Sequence, residues 1–250
     1  MSESTDKLEN KIDSYNENLA MALGSLAYHI HKDIVKYVIE KNEKEKACFK
    51  EIFKGKIEVK DYLFEGSDCV FPGVKRNIGG KEKKEKYNSK EKAILDINSF
   101  PRHIWSFLVN GKCASGPNWK ETGLNEFELA HIFAHKESET TDEEKYFKKI
   151  KNIQLYSQFT SAANVILLPK GTVRPTDNST KMKLIFYKRH IELYEDIPLS
   201  IRKGFKEDLV PKWYSNIKWN KPFRPNDWRI KIDKLLEYRK ERIKKILGIT

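Results

Sequence analysis

Two histidines four residues apart close the apolar run "FELAHIFAHK", Phe127 to Lys136. His131 and His135 leave three chemistries open: a hydrogen-bonded core pair, a metal pair, or a catalytic residue at a strand end. An HxxxH pair places both rings on one face only if the segment is helical, and it would then invite zinc. Between the two lie Ile132, Phe133 and Ala134, so the glutamate that a zinc-protease HExxH needs is missing. Downstream comes "NVILLP", a short buried strand with Asn164 at its head and a proline at its end. "KGTVRP" follows as a basic turn. "TDNS" is a helix-start signal in which Thr176, Asp177 or Asn178 can cap, and "KMKLIFYKRHIELYE" reads as the helix.

The order is therefore a strand ending in His131, a long loop, a strand from Asn164, a turn, and a helix from about Asn178. In this order residues 124–195 resemble the HNH, or ββα-metal, endonucleases, and among them the restriction-type enzymes. That resemblance implies a two-stranded ribbon and a helix around one divalent cation. It assigns His131 as the general base that activates water. It assigns Asn164 to holding the loop and orienting that base. Asn178 becomes the metal ligand, with Asp177 beside it. Oxygen donors of this kind suit Mg²⁺ or Mn²⁺. A neutral imidazole can accept a proton near pH 7. Arg174 is the choice for clamping the phosphate, with Lys170 and Lys181 as local alternatives. The chain departs from the family in three ways. Ala130 stands where many members carry an acidic ligand. Both spacings are long, and "TTDEEKYFKKIKNIQLYSQF" reads as an extra helix within the first. The cysteine pairs that hold structural zinc are absent, so none is expected.

Composition fits a polyanionic partner. Lys and Arg total 48 against 36 Asp and Glu, a formal net charge of +12. The lysine excess can also serve plain solvation. Double-stranded DNA is the expected partner, with Lys75, Arg76, Lys136, Lys170 and Lys181 as contacts and the Trp213–Trp228 region as a further candidate. Cys48, Cys69 and Cys113 show no CxxC spacing. Without a signal-like N-terminus or a membrane-length apolar run, the expectation is an intracellular, cytoplasmic protein with no membrane partner.

The elements that must position these residues are mostly helical. "NLAMALGSLAYHIHKDIVKYVIEK" reads as one long amphipathic helix with Leu19, Leu23, Leu26, Ile30, Ile34 and Val38 on a face that packs inside the domain or against a second copy. His29 and His31 point apart on such a helix. "SFPRHIWSFLVNGK" reads as a break followed by a helix. "DWRIKIDKLLEYRKERIKKILGI" is a helix with Asp227 as its cap. The expected architecture is α+β and mostly helical: a helical region with a basic loop (1–115), a ββα-metal module (116–200), and a basic aromatic segment with a helix (201–250). The expected activity is site-specific DNA cleavage by a homodimer. The alternatives are an inactive nucleic-acid-binding protein on the same scaffold, a zinc hydrolase using His131 and His135, and an RNA-cleaving effector.

Overall fold

The computed structural model describes residues 2–55, 99–113, 125–133, 145–148, 161–197 and 204–249. The fold is α+β and mostly helical, around a small antiparallel sheet. Helix α1 (Ser2–Leu26) buries Asn16, Ala20 and Leu23, spaced four and three apart as one helical face requires.

The expected single helix does not continue through this region. The chain leaves α1 at Leu26, forms the two-residue strand β1 (Tyr28–His29), and re-enters helix as α2 (Lys32–Phe53). The apolar stripe runs on across the break, so periodicity alone hides it. Pairing decides it: Tyr28 lies opposite Leu167 and His29 opposite Ile166. On the other side, Phe223 N–H donates to the His29 carbonyl at 2.7 Å and His31 N–H to the Phe223 carbonyl at 3.1 Å. With its backbone groups taken from both flanks, this stretch cannot close helical bonds. His31 then caps α2, its Nδ1 accepting from the Asp33 N–H at 3.2 Å.

Helix α3 (Ser99–Asn110) takes Phe100 and Pro101 into its first turn, where a missing N–H costs nothing, so the Phe-Pro pair expected as a break lies inside the helix. Strand β2 is Phe127–His131 and β3 is Val165–Pro169. The sheet order is β1-β3-β2, with both pairings antiparallel. As the central strand, β3 is flanked on both edges, and Val165 to Leu168 are all buried. Helix α4 (Val173–Asn178) and helix α5 (Thr180–Leu193) follow. Helix α5 buries Met182, Leu184, Ile185, Phe186, Tyr187 and His190. Within the segment expected as an extra helix, residues 145–148 instead form a turn and an isolated bridge, Phe147 to Phe205, and its other residues lie outside the described ones.

The C-terminal aromatics are packing groups. The Trp105 and Phe223 rings lie 5.7 Å apart, and Trp219 packs on Phe186 at 5.6 Å. Trp213 donates its indole N–H to Asp13 at 3.1 Å. Helix α6 (Trp228–Leu247) buries Trp228, Ile232, Leu235 and Ile243 and packs on α3. Asp227 precedes it but makes no side-chain cap bond, because its carboxylate pairs with Lys231 at 3.0 Å. One hydrophobic cluster runs from Ala20 to Leu235, joining all of these layers.

Gly24 marks the tightest approach. A Cβ there would lie 2.3 Å from Ile217 Cγ2 and 3.4 Å from the Lys218 carbonyl oxygen. Alanine ordinarily favours a helix over glycine by about 1 kcal/mol. Here Gly24→Ala is expected to destabilise by about 1–3 kcal/mol, because overpacking outweighs propensity. A denaturant titration checks the sign, and a stabilised variant would show that the contact yields freely.

Candidate functional site

The β2–β3 ribbon and α5 bring together the region that holds most of the sequence-derived candidates. "FELAH" is extended, so the helical HxxxH geometry with His135 does not form at His131. The ring of His131 terminates β2 opposite Val165. It is half-buried, and its Nε2 is enclosed. Its neighbour Ala130 is 5 % exposed and occupies the core-facing position. Strand alternation sends the His131 side chain to the other face.

Asn164 is completely buried, not at the start of the strand but in a 3-10 turn, Ala162–Asn164, that leads into β3. Ser161 caps this turn, accepting from the Ala163 N–H at 3.1 Å. The Asn164 amide makes a reciprocal pair with one residue of the other strand's exit. Its Oδ1 accepts from the Phe133 N–H at 2.6 Å, and its Nδ2 donates to the Phe133 carbonyl at 3.1 Å. The Ile132 N–H also donates to the Asn164 carbonyl at 3.0 Å. Thus the chain just beyond His131 is held at two successive residues by Asn164. A side chain with one donor and one acceptor in a plane is what such a double bond needs.

His190 lies behind this clamp as a structural residue. It is fully buried, and its Nδ1 lies 3.1 Å from the Ala163 carbonyl, which can only accept, so Nδ1 carries the proton. Its ring packs edge-on against Phe133 at 5.0 Å and against Tyr194 at 4.9 Å. The Tyr194 hydroxyl donates to the Ile30 carbonyl at 2.7 Å, and burial raises its pKa.

At the helix start the cap is Ser179, not Thr176, Asp177 or Asn178. The Ser179 hydroxyl accepts from the Met182 N–H at 3.3 Å and donates to Asn16 Oδ1 at 2.8 Å. Asn16 in turn donates to the Ile12 carbonyl at 2.9 Å. A hydroxyl can do both jobs at once, whereas the Asn178 amide cannot place a single oxygen in both roles. Asp177 and Asn178 sit at the end of α4 and are exposed. The turn expected over "KGTVRP" is shorter than the sequence suggests: Gly171, at φ +82, turns the chain, and helix begins at Val173.

The cationic candidates divide. Lys170 is exposed. Lys181 is engaged by Asp13 at 2.6 Å, and that lysine is the main reason the Asp13 carboxyl is held below its usual range. Arg174 belongs to α4, but its side chain lies outside the described residues, as do Lys75, Arg76, Lys136 and His135. Among the described residues no group of three or more His, Cys, Asp or Glu is placed to hold a metal ion. The donors that the family resemblance assigns to a hydrated Mg²⁺ are the Asp177 carboxylate and the Asn178 amide oxygen. They are chemically suitable, and both face solvent.

A second polar layer contains none of the candidate residues. Arg239 is fully buried on α6 and donates to His103 Nδ1 at 3.0 Å. Its signal was there: positions 232, 235, 239 and 243 form one helical face, and an arginine interrupts it. His29 is also sealed in the core, 5.8 Å from the Trp219 ring and 6.3 Å from the Phe186 ring. Nothing in the HxH spacing foretold that. No helix among the described residues is long and apolar enough to cross a membrane. No protein-family model matches the chain, and no curated protein or solved structure matches it.

Proposed function

We propose that the chain is a metal-dependent endonuclease that hydrolyses phosphodiester bonds in double-stranded DNA, of the HNH type and site-specific in the manner of a restriction enzyme. One observation carries this reading. The Asn164 side chain bonds both backbone groups of Phe133, fixing the exit of the strand that ends in His131, within a strand–strand–helix order. A buried amide that immobilises one strand end suits a base whose ring must be aimed. The net charge of +12 favours a polyanionic substrate.

In this reading the His131 imidazole takes a proton from water as the oxygen attacks phosphorus. The bond to the 3′ oxygen breaks, leaving a 5′-phosphate. Arg174 holds a non-bridging oxygen, and Lys170 lies along the backbone. Asp177 and Asn178 would hold a Mg²⁺ or Mn²⁺ ion, which supplies charge neutralisation at the phosphate and at the leaving oxygen. Because Ala130 lies in the core, no ligand comes from that position, and Asp177 provides the only carboxylate of the set.

A second reading has its own support. The enclosed Nε2 of His131 and the core-facing Ala130 favour a scaffold that binds nucleic acid without cutting it. Incubating supercoiled plasmid with the full chain and Mg²⁺ or Mn²⁺ separates the two. The nuclease reading expects nicked or linear product, lost with EDTA, and a fall of about 10²–10⁴-fold in rate for His131→Ala, as for loss of a general base. Retention of DNA with no cleavage in either metal overturns it in favour of the binding protein. Cleavage of RNA alone, in a parallel arm, would move the substrate assignment. Stoichiometric zinc that is lost on His135→Ala would replace the mechanism.

A further inference from the structure

Helix α1 has two apolar faces, and the domain uses one. Asn16, Ala20 and Leu23 are buried. Leu8, Ile12, Tyr15, Leu19, Ala22 and Leu26 form a second stripe whose spacing alternates between four and three residues, the d and a positions of a heptad seam. Most of that seam lies open: Leu8 is 58 %, Ile12 52 %, Tyr15 58 % and Leu26 45 % exposed, while Leu19 is half-buried at the edge of the domain's own core and borders both faces. Every residue from 7 to 12 is exposed, so the first turns of the helix gain little from their own domain. Isolated helices of fewer than about a dozen residues are marginal in water, and large apolar side chains at heptad spacing supply what such a segment lacks once a second helix covers them.

Charge identifies the covering helix. Residues 2–18 hold five carboxylates, at Glu3, Asp6, Glu9, Asp13 and Glu17, against Lys7 and Lys11. Of the chain's 48 basic and 36 acidic side chains, the remainder therefore keeps 46 and 31, so an acidic arm leads into a strongly basic body. We propose that the seam is a homodimer interface in which α1 pairs antiparallel with α1 of a second copy. Antiparallel packing lays each acidic half beside the base of the other helix, toward the partner's basic body. A parallel pair would set acid against acid and body against body. The layers also match in size: Leu8 faces Leu19 of the other copy, and Ile12 faces Tyr15. The arrangement is self-complementary about a two-fold axis, as closed dimers require. Because α1 also holds the start of α5 through Asn16 and Ser179, the dimer would fix the arm that braces the candidate site. The inference stands whether or not the chain cuts DNA.

Sedimentation equilibrium of the full chain tests it. The seam is at the small end of specific interfaces, roughly 1,000 Å² in total, so a dimer with a micromolar dissociation constant is expected. Ile12→Glu should weaken it about 100-fold or more, since both copies would bury an unpaired carboxylate. The melting curve of the monomer should not move, because Ile12 is exposed there. If that variant fails to fold, Tyr15→Lys repeats the measurement. An oxidised mixture of Leu8→Cys and Leu19→Cys chains should cross-link more than either variant alone or the unaltered chain. A wild-type chain that stays monomeric at about 200 µM, well above a micromolar constant, overturns the proposal, including the case where it leaves bound to a different protein. So does an Ile12→Glu chain that dimerises like wild type, or cross-linking confined to Leu8→Cys alone.

Discussion

Replacing Asn164 with alanine is expected to cost about 3–5 kcal/mol of unfolding free energy, far more than the ordinary effect of deleting one polar side chain. The cost lies in what is left behind. Asn164 is fully buried, and both of its polar side-chain atoms bond Phe133, at 2.6 Å and 3.1 Å. Truncation strands a buried N–H and a buried carbonyl together, and each such group carries a penalty of about 1–3 kcal/mol. Little water can repair the loss, because the Phe133 ring is packed against Tyr187 at 5.1 Å and against His190 at 5.0 Å. For a chain of this size the melting temperature should fall by roughly 6–15 °C. Asn164→Asp sharpens the test. A neutral carboxyl can accept from the N–H and donate to the carbonyl, whereas the carboxylate would face that carbonyl with a second acceptor. The aspartate variant should therefore gain on the alanine variant as pH falls toward 5. A loss below about 1 kcal/mol for Asn164→Ala would mean that Phe133 finds other partners and that the clamp does not organise the exit of β2.

The strands on either side of that clamp were legible in the sequence, and its geometry was not. "FELAH" and "NVILLP" each carry the length and composition of a strand, and both are strands. The sequence could not say that Asn164 would stand outside its strand, because the 3-10 turn depends on the Ser161 hydroxyl and on His190 reaching Ala163. The break between α1 and α2 was hidden for a stronger reason. Leu23, Leu26, Ile30 and Ile34 keep helical spacing straight through it, and only pairing with β3 and with Phe223, remote in the chain, overrides that local pattern. The shift of the helix cap from the "TDN" triplet to Ser179 is of the same kind. Any of those residues can cap, and the choice falls to the one whose hydroxyl also meets Asn16 of α1. Local periodicity identified elements, and contacts between remote segments placed their ends. The candidate residues sit at such ends, which is why their surroundings were not readable from the sequence.

Acid should destabilise this protein unusually early, with about 4 kcal/mol lost between pH 7 and pH 5 through two histidines alone. Burial, helped by the positive charge of Arg189 and by His190, depresses the pKa of His29 from 6.5 to about 3. Burial and then the guanidinium of Arg239 bring His103 to about 3 as well. His103 can serve Arg239 only while neutral, since its Nδ1 is the acceptor of that bond. Both groups therefore have a folded-state pKa below their unfolded value. As pH falls through 6.5 the unfolded chain takes up protons that the folded chain refuses, so stability declines, and the decline levels off only near pH 3. Each histidine supplies a slope approaching 1.4 kcal/mol per pH unit inside that window. The depressed carboxylates cannot produce this effect. Asp13 and Asp233 are held below 3.8, so their contribution is lost only as pH falls through that lower range. Urea titrations at half-unit steps from pH 7.5 to pH 4.5 should show the slope, and His29→Leu should remove about half of it. A His29→Leu chain that keeps the full slope would show that this ring is free to protonate within the fold, and would return the acid sensitivity to groups at the surface.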